Sequence, residues 1–107
     1  MGEKIVLRRD ADGRIVGISM ADVDPTSVSG TSSSILLRAA AEALREYIHV
    51  SVEQPNDEEL NVDRSDVHLD REIDAILETL RIGLRIVEKE YPSELAITEA
   101  QDVEIKV

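Results

Sequence analysis

Apolar and polar residues alternate at the start of the chain. In "EKIVLRRDADGRIVGISM", Ile5 and Leu7 share one face of a run over Lys4–Arg8, and Ile15, Val16 and Ile18 mark a second run over Arg14–Ser19. Between them lies Asp10-Ala11-Asp12-Gly13, and Asp-Gly supplies the positive φ that a tight turn needs. The pattern predicts a β-hairpin over 4–19. Periodicity then disappears across "ADVDPTSVSGTSSS", where Pro25, Gly30 and a cluster of Ser and Thr read as a loop over 22–33. From Ser34 the apolar positions Ile35, Leu36, Ala39, Ala40, Ala43, Leu44, Tyr47 and Ile48 recur at helical spacing, which predicts a helix over 34–49 whose cap is one of the last serines. Ile48, Val50 and Val52 also alternate with His49, Ser51 and Glu53, so a short strand over 48–52 is the alternative to the last helical turn.

"QPNDEELNVDRSD" has turn chemistry at Pro55-Asn56-Asp57 and five acidic residues, and reads as an acidic loop over 53–65. The strongest periodicity follows. Leu69, Ile73, Ile76, Leu77, Leu80, Leu84, Val87 and Tyr91 fall at three- and four-residue steps, predicting a helix over 66–91 that Pro92 ends. Ile82 and Ile86 lie off that stripe, and a helix with two apolar patches calls for two neighbours. The segment 95–107 holds two β-like runs, Leu95–Thr98 and Val103–Val107. The expected architecture is therefore a single α+β domain over 1–107. In it an N-terminal β-hairpin and two α-helices pack on a small antiparallel sheet completed by a C-terminal strand.

Composition changes this picture in three ways. The chain has 107 residues, with no Phe and no Trp, and Tyr47 and Tyr91 as its only aromatics. Each buried aromatic would remove about 150–250 Å² from water, so aliphatic contacts or a partner subunit must compensate. Second, 23 Asp and Glu stand against 12 Lys and Arg, giving a net charge of −11. That balance disfavours nucleic acid, whose binding rests on Lys and Arg neutralising phosphates, and disfavours an anionic membrane surface. A basic protein partner suits it better. Third, cysteine is absent, which excludes disulfides, thiolate catalysis and cysteine-ligated metals. No apolar run has the length of a signal peptide or membrane span, and a cytoplasmic location is expected.

Few residues carry recognisable chemistry. A helix N-terminus favours anions, and Ser29, Gly30, Thr31, Ser32 and Ser33, with Arg38 as countercharge, form the candidate anion site. They lack the lysine and spacing of a phosphate-binding loop, and a flexible connection ending in a serine cap is the favoured account of them. Asp10 and Asp12 open like a calcium loop without the remaining ligands. His49 and His68 form no metal-binding pattern. No nucleophile–base pair is legible, and neither a catalytic residue, a metal nor a cofactor is expected. Ile82, Gly83 and Ile86 form a candidate oligomer interface, Gly83 allowing close backbone approach. The functional expectation is a non-enzymatic, acidic, homo-oligomeric interaction module that binds another macromolecule or itself. The alternative is a domain that sequesters or senses an anionic small molecule, such as a nucleotide, at the Ser/Thr/Gly segment.

Overall fold

A computed structural model describes residues 2–56 and 58–101. Strands β1 (Glu3–Arg9) and β2 (Ile15–Ala21) form the hairpin. Gly13 takes φ 79° in its turn. The Asp10 carboxylate closes the turn by accepting from the N–H groups of Asp12 (2.9 Å) and Arg14 (3.0 Å), so the calcium-like residues are committed to the hairpin itself.

Helix α1 spans Val28–Glu42 and begins six residues before the expected start. Ser27 is its cap, accepting from Gly30 N–H at 2.9 Å. The hydroxyls that suggested a loop instead bond back to the chain. Ser33 Oγ donates to the Ser29 carbonyl at 2.7 Å and Thr31 Oγ1 to that of Pro25 at 3.1 Å. Local satisfaction of this kind lets a serine-rich segment stay helical. A π-helical turn over Ala43–Tyr47 follows, and His49 at φ 56° ends the helix, with Val50 N–H donating to the Leu44 carbonyl at 2.8 Å.

The region expected as an acidic loop contains two strands, β3 (Val52–Glu53) and β4 (Glu59–Val62). The longer strand alternative over 48–52 reduces to this two-residue β3. A 3₁₀ turn over Val67–Leu69, capped by Asp66, leads into α2 (Asp70–Glu90). Strand β5 (Leu95–Gln101) comes last; the expected run Val103–Val107 lies outside the described residues.

The sheet order is β3-β4-β2-β1-β5. Strands β1 and β5 run parallel, with Ile5 opposite Ile97, so the sheet is mixed rather than antiparallel throughout. The reason is the crossover: α2 must return the chain to the end at which β1 begins before β5 can pair. Both helices cover one face of the sheet. Ile5, Leu7, Ile18, Leu60 and Ile97 from the strands meet Leu37, Leu44, Ile73, Leu77 and Leu84 from the helices. The core is aliphatic: Tyr47 is exposed, and Tyr91 touches only its margin. Among the described residues, no helix is long and apolar enough to cross a membrane.

Candidate active site

The alternation that buries Ile5 and Leu7 also places Glu3 on the core face of β1, because side chains two apart on a strand share a face. Glu3 is only 3% exposed. Both its carboxylate oxygens are buried without a hydrogen-bond partner. It lies at the end of the sheet where α1 begins. The buried Ser29 and Ser33 belong to that end of the helix, and Ser33's hydroxyl is already committed to the Ser29 carbonyl. Burial pushes the Glu3 carboxyl above the ordinary carboxylate range. The neighbouring Ser33 hydroxyl opposes this and the charge of Glu58 adds to it.

Around Glu3 opens a cleft of about 290 Å³. Its walls come from four places in the chain: Gly2 and Glu3 where β1 begins, Asp22 and Asp24 after β2, Ser27 and Ser29 at the start of α1, and Ser93 and Glu94 in the turn before β5. Asp22 holds φ 59°, in the left-handed region that Asp visits more readily than most non-glycine residues. Hydrogen bonds from the Thr26 hydroxyl and N–H hold the Asp24 carboxyl below its usual range. Gly30 explains how closely this loop seats on the helix, for a Cβ there would collide with the Asp24 carbonyl. Ser27 Oγ lies 3.3 Å from Ser29 Oγ. Among the described residues, the lining holds four carboxylates and three hydroxyls and no cationic side chain.

On the other side of the 22–26 segment is a larger, more apolar cleft of about 480 Å³, lined by Val23, Pro25, Thr31, Ser34, Ile35, Arg38, Gln54 and Glu58. The six residues of the expected anion site are thus divided. Ser29 lines the acidic cleft, Thr31 and Arg38 line the apolar one, and Ser33 and Gly30 are buried within α1. Ser32 is half-buried. The residues proposed for an interface lie elsewhere. Ile82 and Ile86 are exposed on α2, while Gly83 faces Leu36 of α1. Among the described residues, no group of three or more His, Asp and Glu is placed to hold a metal ion.

Sequence reasoning missed Glu3, Asp22, Asp24 and Glu94. The signal for Glu3 was present, as an acid in phase with Ile5 and Leu7. No local signal marks the others, which chain folding alone brings to the cleft.

No protein-family model matches the sequence, and neither does any curated protein. Solved structures do match in fold. The essential ribosomal processing protease Prp from S. aureus, solved in complex with a substrate peptide, superposes with a TM-score of 0.75 at 13% identity, covering 92% of this chain and 99% of that one. A protein from Streptococcus mutans matches with a TM-score of 0.75 at 12% identity over 94% of this chain and 96% of its own. A hypothetical protein from Staphylococcus aureus matches at 0.72 and 14% identity, over 92% and 99%. At such identities the likeness shows a shared fold.

This finding corrects the functional expectation. A non-enzymatic interaction module, or an anion-sensing domain, was inferred because no catalytic motif was legible. Yet the same architecture carries peptide processing in the staphylococcal protease. Catalytic groups assembled from separate chain segments leave no motif in a sequence, and constellations are recognised by geometry rather than position.

Proposed function

We propose that this chain is a peptide hydrolase that works without a thiol, at the acidic cleft where α1 begins, on a cationic peptide segment. One observation carries the reading. A buried carboxyl, a serine hydroxyl and a helix N-terminus meet in one cleft, on the fold of a protease solved with its substrate peptide. Ser29 is the nucleophile. Its hydroxyl loses its proton to the Glu3 carboxylate as Oγ bonds to the peptide carbonyl carbon. The C–N bond then breaks, and the proton passes from Glu3 to the leaving amine. Water hydrolyses the acyl–Ser29 ester, its proton again passing through Glu3 and returning to Ser29. The net reaction consumes one water and yields one acid and one amine. A carboxyl raised toward the working pH is a better base than an ordinary one. The N–H groups of Val28 and Ser29 fall in the first turn, where a helix has no acceptor for them, and they suit the oxyanion of the tetrahedral intermediate. The charge of −11 suits a cationic substrate.

The test is mass spectrometry of new peptide termini after a sequence-diverse synthetic peptide mixture is incubated with the full chain and with Ser29→Ala. The expected result is cleavage by the wild type and a loss of about 10³-fold or more in the variant, as when a serine nucleophile is removed elsewhere. Intact peptides after wild-type treatment, or equal cleavage by Ser29→Ala, would overturn the proposal.

A further inference from the structure

The cleft beyond the 22–26 segment plays no part in the hydrolysis at Ser29, and its lining is unlike that of the acidic cleft. One cation and one anion meet an aliphatic wall there. Arg38 comes from α1 and Glu58 from the residues that enter β4, while Val23, Pro25 and Ile35 supply the wall. Elsewhere Arg8, Arg9, Arg14, Arg64, Arg81 and Arg85 each pair with an acid of the chain. Among the described residues Arg38 and Glu58 pair with nothing, although they share a cleft of about 480 Å³. Ile35 leaves 57% of its surface in water beside them. Two of the remaining polar groups are already engaged. Thr31 Oγ1 donates to the Pro25 carbonyl at 3.1 Å, and Gln54 Oε1 accepts from Arg45 at 3.4 Å.

We infer that this cleft is a binding site for a free aliphatic α-amino acid such as leucine. Its volume falls within the range of about 300–1,000 Å³ of ordinary small-ligand sites. The two charges decide the class of ligand. An anion without an ammonium group meets Glu58 and the net charge of −11. An amine without a carboxylate meets Arg38. A zwitterion satisfies both walls: its carboxylate accepts from the planar guanidinium fork of Arg38, and its ammonium donates to the Glu58 carboxylate. The aliphatic wall decides the side chain, because an isobutyl group laid on Val23, Pro25 and Ile35 removes apolar surface of both partners from water. Among the described residues, the lining offers no aromatic ring on which a planar ligand would stack. Arg38 and Glu58 are exposed, where a single ion pair is screened and weak. Binding therefore needs all three contacts together, and the affinity is on the order of 1 mM. The ligand is net neutral and uses none of the backbone donors at the start of α1, unlike the anion expected from the sequence.

The experiment uses binding, so that it is independent of turnover. The ¹⁵N-labelled full chain is titrated with leucine and with three probes that each lack one feature. N-acetyl-leucine lacks the ammonium, leucinamide the carboxylate and glycine the side chain. Saturable shifts centred on Val23, Ser34, Ile35 and Gln54 are expected with leucine, and each probe should bind about tenfold more weakly or worse. Arg38→Gln and Glu58→Gln alter exposed side chains and should keep the dispersed spectrum of the folded chain. Arg38→Gln should abolish the preference for leucine over leucinamide, and Glu58→Gln the preference over N-acetyl-leucine. No saturable shift with leucine up to about 10 mM, equal binding of any of the three probes, or an unchanged preference in either variant would overturn the inference. So would shifts centred on Glu3 and Ser29. Ser29→Ala should leave leucine binding unchanged, so the two readings fail separately. Leucine binding without cleavage of any peptide would support this inference and overturn the hydrolase.

Discussion

The two flanks of α2 treat the same residue types in opposite ways. Along its packed face, acids and arginines interlock. Arg9 bridges Glu78 and Glu99, and Arg85 bridges Glu88 and Glu99. Arg64, only 7% exposed, ties the Ile15 carbonyl to Asp70 and Asp74. Beyond the C-terminal end of α2, across the Ser93–Glu94 turn, Glu3, Asp22, Asp24 and Glu94 gather with no arginine among them. The paired region fastens helix to sheet, and the unpaired region carries the cost of a buried carboxyl without a partner. Glu88 and Arg85 do more than pair: they occupy Ile97 N–H and carbonyl at the outer edge of β5 (2.8 and 3.4 Å), shielding it from pairing with another strand. Arg9, Arg14, Arg64, Arg81 and Arg85 thus pair with acids of α2, while among the described residues no arginine lines the acidic cleft.

The contrast can be broken most forcefully at Arg64. Arg64→Ala removes the donor to the Ile15 carbonyl and leaves Asp70 and Asp74 with Arg14 alone. Hydrogen bonds to charged groups contribute about 1.5–3 kcal/mol each, so a loss of about 2–3 kcal/mol in denaturant unfolding is expected. At the unpaired end the sign reverses. Glu3→Gln should raise stability at pH 7 by about 1–2 kcal/mol, since a buried charged group without a partner is expensive. Because the folded-state carboxyl is raised above the value of 4.5, it binds its proton more tightly folded than unfolded. Its penalty is therefore absent below the ordinary range and grows as pH rises through the raised value. Wild type and Glu3→Gln should converge in unfolding midpoint near pH 4 and separate by pH 7.

The smallest effect is expected at Glu78. Burial alone would raise its carboxyl, but Arg9 and Arg81 outweigh this and hold it below the ordinary range. Its contribution is then present above the ordinary range and lost as pH falls through the lowered value, opposite in direction to Glu3. The site is over a third exposed, so Glu78→Gln should cost no more than about 1 kcal/mol at neutral pH. Chemical denaturation at pH 3 and pH 7 measures this; an effect as large as that of Arg64→Ala would erase the distinction between buried and peripheral pairing.

Reading the fold from the chain succeeded where structure is local. The hairpin follows from Asp12-Gly13 and flanking alternation, and α2 from an apolar stripe that its own 21 residues contain. Strand β4 was missed because Glu59-Leu60-Asn61-Val62 offers two apolar residues, and its partners Gly17–Ser19 lie forty or more positions away. The start of α1 was placed late because Thr31 and Ser33 look like loop residues until their hydroxyls find carbonyls of the same segment. For the candidate site, Ser29 was in view as part of an anion site. Glu3 was visible only as an acid in phase with core residues.

The sequence by itself determined an aliphatic, cysteine-free α+β chain of strong negative charge, because composition, alternation and helical periodicity are properties of neighbouring residues. Only the tertiary structure decided that β5 runs parallel to β1, that Arg9, Arg14 and Arg64 reach the acids of α2, and that Glu3, Asp22, Ser29 and Glu94 share one cleft. These depend on segments far apart in the chain, whose meeting is set by burial of the common core and not by any pattern within a segment.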